Sequence, residues 1–147
     1  MNSREKILEA VLKNQPATTP LPDITIFKGD DNDKIEKYMN VFKSIGGSPF
    51  LVDDINAAKE LINQNFDVTK RFITTLPELS YTAELLSATD DPHSMEDVEL
   101  AVIRAHFGVA ENGAVWLTEE VMGQRIIPYI CQHLAVVISA ESIVHPA

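Results

Sequence analysis

Apolar residues recur with the period of an α-helix in three parts of the chain, which predicts three amphipathic helices. The apolar residues of the first are Ile7, Leu8, Val11 and Leu12. Asn2 or Ser3 is expected to cap this helix, and Glu5 lies in its first turn, where a carboxylate is favourable. The third predicted helix is INAAKELINQN, residues 55–65, which begins behind a cap at Asp54.

The second predicted helix has the clearest apolar stripe, and its two ends carry recognisable signals. The stripe consists of Ile35, Tyr38, Met39, Phe42 and Ile45. Asp33 and Glu36 have the spacing of a capping box at the start of the helix. Gly46 and Gly47 predict a left-handed cap at its end. The acidic segment GDDND, residues 29–33, lacks the ligand spacing of a calcium loop, so we interpret Asp33 as a cap.

Shorter apolar runs predict strands. SPFLV (48–52) and RFITTL (71–76) flank the third helix, and this order predicts a right-handed βαβ unit in a parallel sheet. The runs VELAVIRA, FGVA and AVWL follow between residues 98 and 117. HLAVVIS, residues 133–139, is the most continuous apolar run and is typical of a strand buried on both faces. TEEVMGQRIIPYICQ before it predicts a loop and a short helix broken near Pro128.

These elements divide the chain into two parts. Residues 1–22 form an N-terminal helix and a proline-rich connector, so this helix is expected to lie across the domain or against a partner. Residues 23–147 form one α/β domain, which we expect to contain a mostly parallel sheet, flanking helices and a β-hairpin. A chain of 147 residues is long enough for one such domain with its own core.

The net charge and the cysteine content argue against several classes of function for this protein. The formal net charge of −10 repels phosphate backbones and anionic lipids, which argues against binding to nucleic acids or insertion into a membrane. We expect a cytoplasmic protein, since the N-terminus lacks the apolar core of a signal peptide. Cys131 is the only cysteine, so this chain alone cannot hold an iron–sulfur cluster with the usual four thiolates. We interpret Cys131 as a small buried apolar residue rather than a nucleophile.

The segment GVAENGAVWL, residues 108–117, interrupts two apolar runs with polar residues. Asn112-Gly113 is the strongest short-range signal for a hairpin, since a type I′ turn needs positive φ at both central residues. Glu111 beside them allows a second interpretation, the rim of a ligand site. A carboxylate next to such apolar runs has to be paired, solvated or held with a shifted pKa.

FGVAENGAVWL, followed by Arg125, Ile126, Pro128, HLAVVIS and Ile143-Val144, resembles the lactate-utilisation domain (LUD) family. The family carries an Ala-Glu-Thr-Gly-Thr segment that opens a strand. A basic residue, an aliphatic-proline turn, a His-aliphatic strand and an Ile-Val pair come after it. Here Val109, Ala110, Glu111 and Gly113 keep the pattern, whereas Asn112 and Ala114 replace the two threonines. The resemblance is strongest between about residues 98 and 144.

The resemblance implies the parallel-rich fold shared by sugar-phosphate isomerases, CoA transferases and formyltetrahydrofolate cyclo-ligases. It also implies an accessory or regulatory role in oxidation of L-lactate to pyruvate, with the iron–sulfur clusters held by partner oxidoreductase subunits and no cofactor in this chain. Asn112, Gly113, Arg125 and His133 would then surround a small carboxylate ligand. In an alternative, the protein is an acyl or formyl transferase-like enzyme with Glu111 as nucleophile or general base. In a third, it is a shortened protein-binding module.

One departure from the family affects that ligand site. Members continue after the Ile-Val pair into a Gly-Pro-Ser/Thr segment suited to an anion, whereas this sequence stops at Ala147. Unless the sequence is partial, we expect that side of the pocket to be missing and an edge of the sheet to be uncovered.

Other side chains have simpler expected roles. His106 and His133 could meet across neighbouring strands, but the four histidines lack a metal-ligand spacing and no metal site is expected. Arg125 either binds a carboxylate ligand or pairs with Glu119, Glu120 or Glu111. Trp116 is expected in the core.

Overall fold

The computed structural model describes residues 2–23, 33–86 and 91–145. The helices are α1 (Ser3–Lys13), α2 (Lys34–Ser44), α3 (Ile55–Asn65), α4 (Glu119–Met122) and α5 (Ile127–Ile130). The strands are β1 (Arg71–Thr74), β2 (Glu84–Leu85), β3 (Val98–Arg104), β4 (Phe107–Val109), β5 (Val115–Trp116), β6 (His133–Val137) and β7 (Ile143–Val144). The predicted α/β class is confirmed. In the part of the chain so described, no helix combines the length and apolarity needed to cross a bilayer.

The main sheet has four parallel strands in the order β2-β1-β3-β6. Its centre is β3, where the side chains from Leu100 to Ile103 are at most 1% exposed. Arg71 lies opposite Val98 and Phe72 lies opposite Leu100, so β3 contains one extra residue, Glu99, at this point. This bulge changes which face of the sheet the later residues of β3 occupy.

Two layers cover the sheet, one on each face. On one face, Ile62 of α3 and Phe66, which follows the helix, pack with Phe72, Leu100 and Val102. On the other face, the residues in contact are Ile73, Met95, Val98, Ala101, Ile103 and Ile127. Each fully buried aliphatic side chain contributes roughly 1.5–3 kcal/mol to the free energy of unfolding, so these two layers hold the domain together.

A second, smaller sheet has the order β5-β4-β7, with β4 antiparallel to β5 and parallel to β7. Helix α2 packs against it, and Tyr38 forms a buried cluster with Ala110 and Ile143. Gly108 lies under the helix, where a Cβ atom would be only 2.9 Å from the Tyr38 ring. The absence of a side chain at Gly108 therefore allows α2 to approach the sheet closely.

Three of the four predicted helix caps are confirmed. Asn2 and Glu5 form a complete capping box at α1, and the Asp54 carboxylate accepts a hydrogen bond from the Ala57 amide of α3 at 2.8 Å. At the end of α2, Gly46 has φ of 96°, and the amide of Gly47 donates to the Phe42 carbonyl. These are the features of a Schellman motif.

The predicted capping box of α2 is wrong. Asp33 precedes the helix with φ of 61° and makes no side-chain cap hydrogen bond. A capping side chain reaches the first amides of a helix when its own backbone is extended. Asp33 has a left-handed backbone conformation instead, so its carboxylate does not cap α2. The remainder of GDDND lies outside the described residues.

Three strand and helix predictions need correction. Residues 48–52 do not form a strand. Pro49 has no backbone N–H to donate to a neighbouring strand, and Phe50 and Leu51 are 59% and 64% exposed. The predicted βαβ unit around α3 therefore does not form. HLAVVIS does form β6, but at a sheet edge rather than buried on both faces, with Leu134 40% exposed. Pro128 lies in the first turn of α5, where proline is favourable, instead of breaking a helix.

Arg71 joins three segments at the amino end of the sheet. Its guanidinium donates to Glu84 at 3.0 Å, to Asp97 at 2.8 Å and to the Ser94 carbonyl. The hydrogen bond from Arg71 lowers the pKa of Asp97. Because the folded-state pKa is lowered, the Asp97 carboxylate stabilises the fold above the unfolded-state pKa and loses this effect as pH falls through the folded-state value.

We expect Gly47→Ala to lower the free energy of unfolding by about 1–3 kcal/mol, since the new Cβ would lie 2.2 Å from the Phe42 ring. Urea unfolding measures the loss. In a Phe42→Ala background the same change should cost much less, because the clashing ring is gone. Equal costs in the two backgrounds would show that this contact is not the cause.

We expect Asp97→Asn to lower the melting temperature at pH 7, because Arg71 loses a charged partner. The difference from the parent protein should shrink as pH falls below the ordinary aspartate pKa of about 3.9 and vanish once the native carboxyl is protonated. Melting temperatures of both proteins, measured by thermal unfolding across this pH range, test the direction of the pH dependence. Asp53→Asn, the same change at an exposed aspartate outside the Arg71 cluster, is the control.

Candidate functional site

The polar segment Glu111-Asn112-Gly113 is the loop of the β4–β5 hairpin. The Val109 amide donates to the Ala114 carbonyl at 2.8 Å, and the Gly113 amide donates to the Val109 carbonyl at 3.0 Å. The predicted hairpin is therefore confirmed. The predicted type I′ turn is wrong, because Gly113 has positive φ, 71°, and Asn112 does not.

Each residue of this loop has a distinct environment. Gly113 is buried against α2, where a Cβ atom would lie 3.2 Å from Ile45. The Asn112 side chain accepts a hydrogen bond from the Ala114 amide at 2.9 Å and so stabilises the turn. The side chain of Glu111 is exposed at the tip of the hairpin. Asn112 and Gly113 thus have structural roles that the local geometry explains.

Arg125 lies between α4 and α5 and forms an ion pair with Glu119. Nη2 of Arg125 donates to Glu119 at 2.6 Å, and this hydrogen bond raises the pKa of the guanidinium. Of the two interpretations from sequence, pairing with Glu119 is the one observed. The pair lines a shallow surface pocket together with Pro92, Glu120, Gly123 and Ile126. Since a guanidinium carries five N–H groups, donors remain for a carboxylate ligand.

His133 begins β6 at the amino end of the strand. Its ring lies 5.2 Å from the Phe66 ring, and Nε2 lies 3.9 Å from a Glu99 carboxylate oxygen. His106 follows the carboxyl end of β3, and its Nε2 lies 2.9 Å from the Thr118 hydroxyl. The suggested meeting of His106 and His133 is wrong, because parallel strands place these residues at opposite ends of the sheet.

The residues predicted to bind one ligand therefore lie in three different places and contact different parts of the structure. Glu111, Asn112 and Gly113 belong to the hairpin on α2, Arg125 lies beside Pro92, and His133 contacts the end of α3. Across residues 2–23, 33–86 and 91–145, no group of three His, Cys, Asp or Glu side chains is arranged to hold a metal ion.

The carboxyl edge of the main sheet contains polar residues that the sequence interpretation did not single out. The chain leaves β1 towards β2 and leaves β3 towards β6, so the sheet has a topological switch point between β1 and β3. Open α/β sheets commonly bind ligands at such a point. Arg104 ends β3 here and pairs with Glu78 at 3.1 Å. In the sequence, Arg104 follows directly after the apolar run LAVI, residues 100–103, and this change from apolar to charged marks the end of the strand.

The sequence also predicted the environments of Cys131 and Trp116. Cys131 follows α5 and is partly rather than fully buried against the core, and burial raises the pKa of its thiol, which agrees with the interpretation as an apolar residue. The prediction that Trp116 lies in the core is wrong. Trp116 is 56% exposed and stacks on Phe107 at 6.1 Å. Because side chains alternate along β5, Val115 faces α2 and Trp116 faces outward.

No protein-family model, curated protein or solved structure matches the chain. The resemblance to the LUD family therefore rests on the spaced sequence elements between about residues 98 and 144.

We expect Gly113→Ala to lower the free energy of unfolding by about 1–2 kcal/mol, because alanine is strained at positive φ. Glu111→Gln should change it by no more than about 0.5 kcal/mol, since the side chain is exposed. Chemical unfolding of the two variants gives both values. A large loss for Glu111→Gln would show that the carboxylate supports the hairpin.

Proposed function

We propose that this chain is a cytoplasmic accessory subunit of L-lactate oxidation that works by binding iron–sulfur oxidoreductase partners. The sequence elements that resemble the LUD family support the assignment to lactate utilisation. The partners hold the clusters and carry the electrons, and this chain contributes a binding surface.

The position of Glu111 is the observation that favours a binding role over catalysis by this residue. A nucleophile or general base has to be held within hydrogen-bond reach of the reacting atom. Glu111 is exposed at the tip of the β4–β5 hairpin, and its neighbours Asn112 and Gly113 close the turn. In this proposal, the retained Ala-Glu-Asn-Gly segment keeps the hairpin shape that fits β4 under α2.

Exposed apolar side chains support the same role. Trp116 on the edge strand β5 is 56% exposed and stacks on the half-buried Phe107 of β4, and tryptophan is enriched at protein interfaces. In this proposal, a partner covers the exposed Trp116 side chain on the hairpin.

Arg125 supports a second candidate function, recognition of a small carboxylate such as lactate. Its guanidinium lines the pocket beside Pro92, and the ion pair with Glu119 orients it. A ligand bound there would regulate the association rather than react.

A growth experiment in the source organism tests the proposal. Deletion of the gene should abolish growth on L-lactate and leave growth on pyruvate intact, because only the oxidation step is lost. A tagged copy should restore growth and co-purify anaerobically with protein that contains iron and acid-labile sulfide.

Glu111→Gln separates the accessory role from the enzyme alternative. As an accessory subunit, the variant should restore growth on lactate as well as the parent chain does. If the variant folds normally and still co-purifies with the iron–sulfur protein but growth is lost, Glu111 is catalytic. Normal growth of the deletion strain on lactate would contradict the proposed function itself.

A further inference from the structure

Asn112 and Gly113 form a pair that is chemically reactive in a flexible chain. The backbone nitrogen of the residue after an asparagine can attack the side-chain amide carbon, and glycine, which has no Cβ, hinders this attack least. Asn112 is exposed on the hairpin, so water and hydroxide reach its side chain. None of the other asparagines in the sequence is followed by glycine. The chemistry of deamidation therefore points to the loop of the β4–β5 hairpin.

The reaction needs only water and releases ammonia. Hydroxide removes the proton from the backbone nitrogen of Gly113, and this nitrogen attacks Cγ of Asn112. The new bond closes a succinimide ring, while the bond from Cγ to the side-chain nitrogen breaks and that nitrogen takes a proton from water and leaves as ammonia. Water then opens the ring at either carbonyl, which leaves aspartate or isoaspartate at position 112.

The folded hairpin engages both reacting groups in hydrogen bonds. The Gly113 amide donates to the Val109 carbonyl at 3.0 Å, so loss of its proton would leave an anion facing that carbonyl oxygen. The Asn112 side chain accepts from the Ala114 amide at 2.9 Å, which restricts the rotation that would bring Cγ against the Gly113 nitrogen. Reaction requires the attacking atom and its target to be free to align, and the closed loop opposes this.

Helix α2 covers the other side of the loop. Gly113 is buried, and a Cβ atom there would lie 3.2 Å from Ile45 and 3.5 Å from the backbone of Phe42. A buried amide is shielded from hydroxide, and this close packing leaves the loop no space to rearrange towards α2. The Gly113 amide therefore becomes reactive when the loop opens away from the helix, and local openings of this kind cost less than global unfolding.

We propose that Asn112 is a deamidation site whose reaction is controlled by the contact between the hairpin loop and α2. While the loop is closed, the Gly113 amide stays bonded and buried, and Asn112 persists. Each opening exposes the pair to reaction, and the product does not return to asparagine because the ammonia has left. The extent of deamidation thus increases with the time that the hairpin spends open.

The two products affect the hairpin differently. An aspartate at position 112 keeps an oxygen that accepts the hydrogen bond of the Ala114 amide, and it adds a negative charge beside Glu111. Isoaspartate routes the main chain through the former side chain and so lengthens the loop. The hydrogen bond from Val109 to Ala114, at 2.8 Å, depends on the original loop length. Isoaspartate therefore weakens the pairing of β4 with β5.

Peptide mass spectrometry of the full-length chain, after incubation in mildly alkaline buffer, measures the rate at Asn112. In guanidinium chloride, Asn112 should deamidate faster than every other asparagine. Gly113→Ala should slow the reaction there severalfold, since the alanine Cβ hinders the attack. In the native chain, the rate at Asn112 should be at least about tenfold lower than in guanidinium chloride, because only open loops react.

Ile45→Ala tests the control by α2. It should raise the native rate severalfold, because it removes the side chain that packs against Gly113. Ile7→Ala is the matched control, since Ile7 on α1 is 63% exposed and Ile45 is 62% exposed, and it should leave the rate unchanged. Ile73→Val lowers the free energy of unfolding in the main core and should also leave it unchanged, because loop opening needs no global unfolding.

In guanidinium chloride the rates of the parent, Ile45→Ala, Ile7→Ala and Ile73→Val should be equal, since the differences arise in the folded state. A denatured chain in which Asn112 reacts no faster than the other asparagines would overturn the site itself. Equal rates in the native and denatured parent would overturn protection by the hairpin. A native rate that Ile45→Ala does not raise, or that Ile73→Val raises as much, would overturn the control by α2.

Discussion

The burial of β3 between two helical layers is the constraint on which the rest of the structure depends. Leu100 and Val102 contact the α3 layer, whereas Ala101 and Ile103 contact the α5 layer. Parallel ladders to β1 and β6 satisfy the backbone of β3 on both edges. A strand buried in this way excludes charged side chains from its middle, so Arg71 and Arg104 lie at opposite ends of the sheet, where each pairs with carboxylates.

The same constraint determines where chemistry and binding can occur. Polar groups collect at the strand ends and in the loops, and the hairpin carrying Glu111 belongs to a separate small sheet under α2. That hairpin needs Gly113 for its positive φ and Asn112 for its turn hydrogen bond. Asn112 and Gly113 thus have structural roles, and the hydrophobic side chains left exposed include Trp116 on the hairpin and Ile7 and Leu12 on α1.

The proposed accessory role depends on two surface features, the exposed Trp116 and the pocket beside Arg125. In that proposal, the exposed Trp116 side chain is a contact for a redox partner, and the partner holds the clusters because this chain has a single cysteine. In the second candidate function, Arg125 binds a small carboxylate that regulates this association. Trp116 and Arg125 lie outside the core around β3, so mutations at either position leave that core intact.

The sequence by itself determined the elements whose stabilising contacts are local. Helix α3, the caps at Asn2 and Asp54 and the Gly46 turn depend on groups within a few residues, so their pattern was sufficient. Tertiary structure alone decided that residues 48–52 stay out of the sheet, that β6 lies at an edge and that Trp116 faces outward. It also separated Glu111, Arg125 and His133, which one motif had suggested as a single site. Those outcomes depend on which strands pair and in what register, and such contacts join residues that are distant in the sequence.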